Sequence, residues 1–346
     1  LARTPPAELR QVPQAPVKIV AADWLPYCLP LRRPWQTSRG IFDERRGHLL
    51  RLRTADGMTG WGDCAPLPEF GIAEAAARDL AEECALLDLT AQHARVPLGG
   101  WLSGAAPARS VAANAVLGAI STVTPEAMRD SLTAGFRVLK IKVGAGPLAD
   151  EIDHLRQICA TLPAGVGLRL DANGAWDEVD TRRFLAACLQ LPIEGIEEPL
   201  RGPDAATLRR LQAAVPFPLA IDESLHLIDR DFWQAPPVRR LVIKPARVGG
   251  LLASIELGLR ARAAGVECIV TSSLESACGL TACAHLATAI APDSCHGLAT
   301  AGWLANDTGD VPAIVGGRML LPRNPGLGFP RISGVADSFP AVHEGN

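Results

Sequence analysis

Two kinds of hydrophobic pattern divide the chain near residue 110. Before it, apolar and polar residues alternate in short runs. In HLLRLRTADGMTGWGDCAP two alternating stretches flank Asp56-Gly57, and alternation interrupted by such a turn pair predicts a β-hairpin. Residues 17–31 (VKIVAADWLPYCLPL) read as a strand with turns. Residues 31–47 (LRRPWQTSRGIFDERRG), polar and rich in Arg, read as a mobile loop between two strands. Residues 73–92 carry apolar side chains at helical spacing with no Pro or Gly, which predicts a helix. Strands followed by a helix, without β/α alternation, imply a separate α+β unit.

From residue 110 the pattern becomes a regular alternation. Strand candidates are SVAANAVL, RVLKIKVG, GLRLDANG, GIEEPL, PLAIDESL, RRLVIKPARVGG, ECIVTSSLE and HGLA. Helical runs fall between them: one opening at Thr124-Pro125, then 149–161, 177–190, 204–214, 251–264 and 279–290. Thr is a good helix cap and Pro suits the first helical position. The crossover after PLAIDESL has no clear helical pattern. An open Rossmann sheet would carry a GxGxxG turn, which is missing here, so the expected fold is an α/β protein built on a (β/α)-barrel. The expected division is a flexible leader over 1–16, a capping domain over 17–109 completed by 306–346, and a barrel over 110–305.

Composition narrows the function. Hydrophobic residues make up 48% of the chain and the net charge is -3, so a full core is expected and a nucleic-acid partner is not. No apolar run approaches bilayer length, which excludes a membrane span. The Pro-rich start lacks the apolar stretch of a signal peptide, and the absent initiator Met implies numbering that starts partway into the protein. Nine cysteines form no CxxC pair. Several sit among core-like residues, as reduced thiols of a cytoplasmic protein would. No pattern in the chain sets an oligomeric state.

The chemistry enters with the lysines. Of 34 Lys plus Arg, four are Lys, and three of those (Lys140, Lys142 and Lys244) lie in apolar, strand-like runs. Arg stays charged, whereas a desolvated Lys can act as a base. One such lysine is more often a strand residue reaching to the surface. Acidic residues change the balance. Asp171, Glu197 and Asp222 end successive strand candidates, and Lys244 ends the next, at intervals of 26, 25 and 22 residues. Strand ends share one site in a barrel. Three converging carboxylates repel unless a hard cation joins them, which points to Mg²⁺. Glu198 competes with Glu197, since adjacent strand residues face opposite ways and periodicity does not choose between them. Lys140 and Lys142 face the same way, and a like charge beside Lys142 favours its use as a base. Lys244, four strands on, lies across the mouth. The layout suits removal of a proton α to a carboxylate, with the metal stabilising the resulting enediolate and Lys244 acting as cation or opposite-face acid.

KIK, LDANGAW, EEP, AIDES and IKPARVGG, in this order, resemble the enolase superfamily, in its muconate-lactonizing subgroup. The similarity spans nearly the whole chain. It implies a modified TIM barrel of (β/α)7β type with an α+β capping domain to which GWGDCAPLPEFG belongs, and it places 31–47 where a mobile specificity loop lies. It implies Asp171, Glu197 and Asp222 as Mg²⁺ ligands, Glu197 rather than Glu198 being the first Glu of the motif, and Lys142 as base. A late-strand His base is not evident, and Lys244 takes that side. VTSSLESACGL resembles the o-succinylbenzoate synthases, which dehydrate a cyclohexadiene carboxylate in menaquinone biosynthesis. That likeness implies a lyase acting on a small-molecule carboxylate, with Ser272, Ser273 and Glu275 beside Lys140 as substrate contacts. Arg169 and Asn173, flanking Asp171, read as substrate or supporting groups. N-succinylamino acid racemases resemble IKPARVGG equally, whereas the DxD segment of dipeptide epimerases is not evident.

Overall fold

The computed structural model describes residues 17–37 and 40–329. The expected leader (1–16) and the last part of the expected capping segment (330–346) lie outside them. β1 (Ile19–Thr37) and β2 (Gly40–Thr54) form a long antiparallel ribbon, and β3 (Thr59–Cys64) pairs with the other edge of β2. The turn falls at Asp56-Gly57 as expected. Gly57 has φ 87, and its N–H donates to the Thr54 carbonyl at 3.1 Å.

The 31–47 segment departs from the sequence reading. Its described part is strand rather than loop, with a register shift between Pro30 and Trp35. Arg and Gly do not bar a strand whose ladder is satisfied locally by its hairpin partner. The ribbon also seats on the barrel, where the Ala305 N–H donates to the Pro30 carbonyl at 2.8 Å.

α1 (Glu74–His93) crosses the ribbon at close range. A Cβ on Gly62 would stand 1.9 Å from the Ala81 carbonyl oxygen, and one on Gly60 would stand 2.3 Å from that of Ala85. Glycine at these two strand positions is therefore a packing requirement. α2 (Leu98–Ser103) follows.

The single strand expected at 110–117 is broken at Asn114 into β4 (Ser110–Ala113) and β5 (Ala115–Ala119). The barrel then runs α3 (Pro125–Thr133), β6 (Val138–Lys142), α4 (Leu148–Ala160), β7 (Gly167–Asp171), α5 (Glu178–Cys188), β8 (Ile193–Glu197), α6 (Ala205–Ala213) and β9 (Leu219–Ile221). It continues with β10 (Arg240–Ile243), α7 (Pro245–Val248), α8 (Leu251–Ala263), β11 (Glu267–Val270), α9 (Ala277–Ile290) and β12 (Cys295–His296). The crossover from β9 to β10 carries a single 3-10 turn at Leu225–Leu227. The helix expected at Thr124-Pro125 starts there, with Thr124 accepting the Ala127 N–H, and the structure shows Asp177 and Asp204 capping α5 and α6 in the same way.

β5 to β11 form one parallel sheet in sequence order. The ring closes through β12. Thr271 bridges Gly297, and β12 pairs with β4. This is the expected barrel beside an α+β unit. β13 (Ile314–Val315) and β14 (Arg318–Leu320) add to β4, while Leu327 donates its N–H to Asp88 of α1 at 2.7 Å. Residues 306–329 thus touch both units.

Alternation along the barrel strands sorts the side chains. Leu139, Ile141, Leu168 and Leu170 are fully buried and pack under the helices, which leaves Lys140, Lys142, Arg169 and Asp171 on the interior face. Among the described residues no helix is long and apolar enough to cross a membrane. The nine cysteines are free thiols.

Candidate active site

A cavity of about 110 Å³ opens at the C-terminal ends of the barrel strands. Lys140, Lys142, Asp171, Asn173, Lys244, Ser272, Ser273 and Thr300 supply its polar wall; Leu67, Phe70, Leu274 and Trp303 supply apolar surface. Parallel register explains the grouping. Lys142 stands opposite Asp171, and Asp171 opposite Glu197, on adjacent strands. Asp222 follows the last residue of β9, and Lys244 the last residue of β10.

The three lysines are used differently. The Lys140 ammonium lies 3.0 Å from Asp171 and donates to Glu197. Burial alone would lower its pKa, but these two carboxylates hold it well above the usual lysine range. Burial also opposes ionisation of Asp171, yet Lys140 and then Lys142 draw its carboxyl below the ordinary value. For Glu197 burial wins, despite Lys140, and its carboxyl is raised. Lys244 pairs with Asp222, whose second oxygen takes Arg247 at 3.1 Å. Lys142 instead donates to the Asn173 side-chain oxygen at 2.9 Å. Among the ion pairs of the described residues it has none.

Asn173 adopts φ 46, a left-handed conformation that Asn tolerates better than most residues. Its amide nitrogen donates to Glu223 at 2.9 Å. Glu223 was not singled out in the sequence, although it sits inside the AIDES segment. Burial, then Asp222 and Asp171, push its carboxyl up to about 7. Its Oε2 is buried without a partner.

The backbone separates Glu197 from Glu198. Glu198 has φ 41, which ends the strand geometry. Its carboxylate accepts the Asp222 N–H at 2.8 Å, the Ser224 N–H at 3.2 Å and the Ser224 hydroxyl. Glu198 therefore braces the turn after β9, and Glu197 faces Lys140.

Two of the expected substrate contacts, Arg169 and Glu275, do not line the cavity. Arg169 is 1% exposed and lies deeper in the barrel, bonded to Glu194 at 2.9 and 3.0 Å, to Asn114 at 3.0 Å and to the Cys295 carbonyl at 3.0 Å. Its position two residues before Asp171 puts it on the interior face but one layer down. Glu275 is also off the cavity wall. It accepts the Ser272 hydroxyl at 2.6 Å and the Ser273 N–H at 2.7 Å. Ser272 reaches the wall, but its proton is committed to Glu275, and its oxygen accepts from Thr300 and the Leu274 N–H. The Ser273 hydroxyl is buried without a partner and lines the cavity.

The site must also be tested against the Mg²⁺ implied by the sequence. Among the described residues no three acidic, imidazole or thiol side chains already form a metal cage, and Lys140 and Lys244 lie against the carboxylates. The donor chemistry nevertheless fits. Asp171, Glu197 and Asp222 offer hard oxygens from successive strands, and ammonium groups mark where positive charge is favoured.

Residues 124–330 match the family described as enolase C-terminal domain-like. The L-Ala-D/L-Glu epimerase of Bacillus subtilis is 27% identical over 316 residues, covering 78% of this chain and 85% of its own. The o-succinylbenzoate synthase of Yersinia pseudotuberculosis is 29% identical over 283 residues, covering 74% and 83%. The solved structure of a dipeptide epimerase from Methylococcus capsulatus, complexed with Mg and the dipeptide L-Arg-D-Lys, superposes with TM-score 0.80 at 26% identity, covering 90% of this chain and 99% of that one.

Proposed function

The chain belongs to the enolase C-terminal domain-like family, and from that premise we propose that it removes the proton α to a substrate carboxylate as an Mg²⁺-dependent o-succinylbenzoate synthase. The observation that carries the reading is the division among the lysines. Lys140 and Lys244 engage buried carboxylates, whereas Lys142 rests on a neutral amide. A general base must reach its proton without a carboxylate already holding it.

In this reading Lys142 takes the α-proton. The charge that develops on the substrate carboxylate meets the ammonium groups of Lys140 and Lys244. Dehydration follows when the β-hydroxyl leaves as water, taking up the proton that Lys142 accepted, so the base is returned neutral and the ring becomes aromatic. Asp171, Glu197 and Asp222 would hold the divalent cation, which supplies Lewis-acid neutralisation of the carboxylate. Such electrostatic help must lower the barrier by about 10 kcal/mol for so weak a carbon acid. Asn173 orients Lys142 and is oriented in turn by Glu223. The distal substituent would meet the Ser273 hydroxyl and the apolar wall of Leu67, Phe70 and Leu274. A relative at 29% identity carries the same activity.

A racemase or epimerase of an N-acylamino acid or dipeptide is the second reading. It is favoured by the placement of Lys142 as the last residue of β6 and of Lys244 just after β10, four strands apart on a ring of eight. One lysine on each side of the substrate is what inversion at the α-carbon needs, and a relative at 27% identity is an epimerase.

The test is to incubate the purified protein with Mg²⁺ and the cyclohexadiene carboxylate and follow aromatisation by ultraviolet absorbance. In parallel, N-succinylamino acids and dipeptides are incubated in D₂O and followed by NMR. Aromatisation supports the first reading. Exchange of the α-proton without loss of water supports the second. Neither event, in protein shown to bind Mg²⁺, sinks both.

A further inference from the structure

The loop that carries Ser273 is not held by the barrel alone. Asp63, at the end of β3 in the α+β unit, is 4% exposed. One of its oxygens accepts the hydroxyl of Tyr27, the chain's one tyrosine, at 2.8 Å. The other accepts both the N–H of Ser276 at 2.9 Å and its hydroxyl at 2.7 Å. Ser276 is the residue immediately before α9. It closes the segment 272–276.

Arg45, on β2, grips the same segment two residues earlier. Its Nε donates to the Leu274 carbonyl at 3.2 Å, while its other nitrogens hold the carbonyls of Pro66 and Ala65 at 2.9 and 3.1 Å. Those two residues lead directly into Leu67, on the cavity wall. Leu274 has φ 60, a left-handed conformation that a leucine keeps only where its surroundings hold it. A Cβ on Gly279 would stand 2.7 Å from the Asp63 carboxylate, so α9 admits this acid by leaving a side chain out.

We propose that Asp63 is a positioning residue. Through Ser276, and together with Arg45 on Leu274, it sets how Ser273 and Leu274 project into the cavity, and so which distal substituent the site accepts. The α+β unit then acts on specificity from behind the loop, without touching substrate at Asp63. The inference rests on the reading of the cavity as the substrate site.

Asp63→Asn keeps the size of the side chain but replaces an acceptor with a donor, which opposes either Tyr27 or Ser276. Amide hydrogen exchange reads the loop directly. We expect residues 272–277 to exchange at least tenfold faster in the variant, while β6 and β7 keep their protection. With whichever substrate the wild type turns over, we expect KM to rise about fivefold to tenfold, kcat to change less than twofold, and Mg²⁺ affinity to stay the same. Tyr27→Phe removes one donor and should move exchange and KM in the same direction by less. If Asp63→Asn does not fold, Ser276→Ala takes its place in both assays. Unchanged exchange in 272–277 overturns the proposal. So does faster exchange spread evenly over the chain, or a fall in kcat and Mg²⁺ affinity alongside KM, since either marks general damage. If the wild type turns over no substrate, the functional reading fails and exchange alone decides the positioning role.

Discussion

Replacing Lys140 with Met tests the charge balance at the centre of the site. Its side chain is 12% exposed and its ammonium faces the Asp171 and Glu197 side chains, which are 5% and 1% exposed. At the 3.0 Å separation from Asp171, Coulomb attraction at an effective dielectric of about 20 is about 5.5 kcal/mol. Desolvation of the lysine offsets part of this. Removing one partner of a buried pair leaves an unneutralised charge, at a cost of about 3–5 kcal/mol. That loss is expected in urea titrations near pH 7, followed by circular dichroism with EDTA present. Saturating Mg²⁺ should bring the loss below about 2 kcal/mol, because a cation bound by the same carboxylates replaces the missing charge. An equal loss with and without Mg²⁺ would refute these carboxylates as its ligands. A loss under about 1 kcal/mol in EDTA would refute Lys140 as the group that neutralises them.

Lys142→Arg should lower turnover by about 100-fold or more with Mg²⁺ binding by calorimetry unchanged; retention of a tenth of the activity would remove Lys142 as base. Ser273→Ala should raise KM about fivefold with stability unaltered, because its hydroxyl has no partner to lose. Ser272→Ala, by contrast, should lower stability by about 1–3 kcal/mol, since it strips Glu275 of a donor; equal effects on stability would contradict the assignment. Acid lability should come from His285 and His296, which burial pushes down to about 4. Between about pH 6.5 and 4 the unfolded chain binds more protons than the folded one, so each costs stability as pH falls, by about 2 kcal/mol at pH 5. Asp63 and Asp88, pushed up to about 6 mainly by burial, return stability over about pH 6 to 3.8. His285→Asn should therefore lose about 2 kcal/mol less than the wild type between pH 7 and 5, as read from urea midpoints, and equal losses would count against a buried neutral imidazole.

Much of this protein is legible along the chain. Period-2 and period-3.6 patterns, the cap at Thr124 and the Asp56-Gly57 turn are local signals, and each acts within a few residues of its own position. Because a barrel strand presents its end to a shared mouth, spacing by one β/α unit was enough to bring Lys142, Asp171 and Lys244 to one cavity, with Asp222 paired to Lys244 beside it. Local rules failed where the deciding contact was distant or a single backbone angle intervened. Alternation left Glu197 and Glu198 equivalent, and a left-handed φ at Glu198 separated them. Arg169 shares a face with Asp171, but depth in the barrel, set by register against Asn114, Glu194 and Cys295, put it below the cavity. Ser272 and Ser273 look alike in the chain. Glu275 takes the proton of one and leaves the other open. The grip of Asp63 on Ser276 spans 213 residues, and no periodicity carries information that far. The sequence by itself determined the elements, their order and the residue types at the strand ends, because those follow from short-range patterning. Only the tertiary structure decided which of those groups are already partnered and which remain free to meet a ligand, because hydrogen-bond partners are set by packing between segments far apart in the chain.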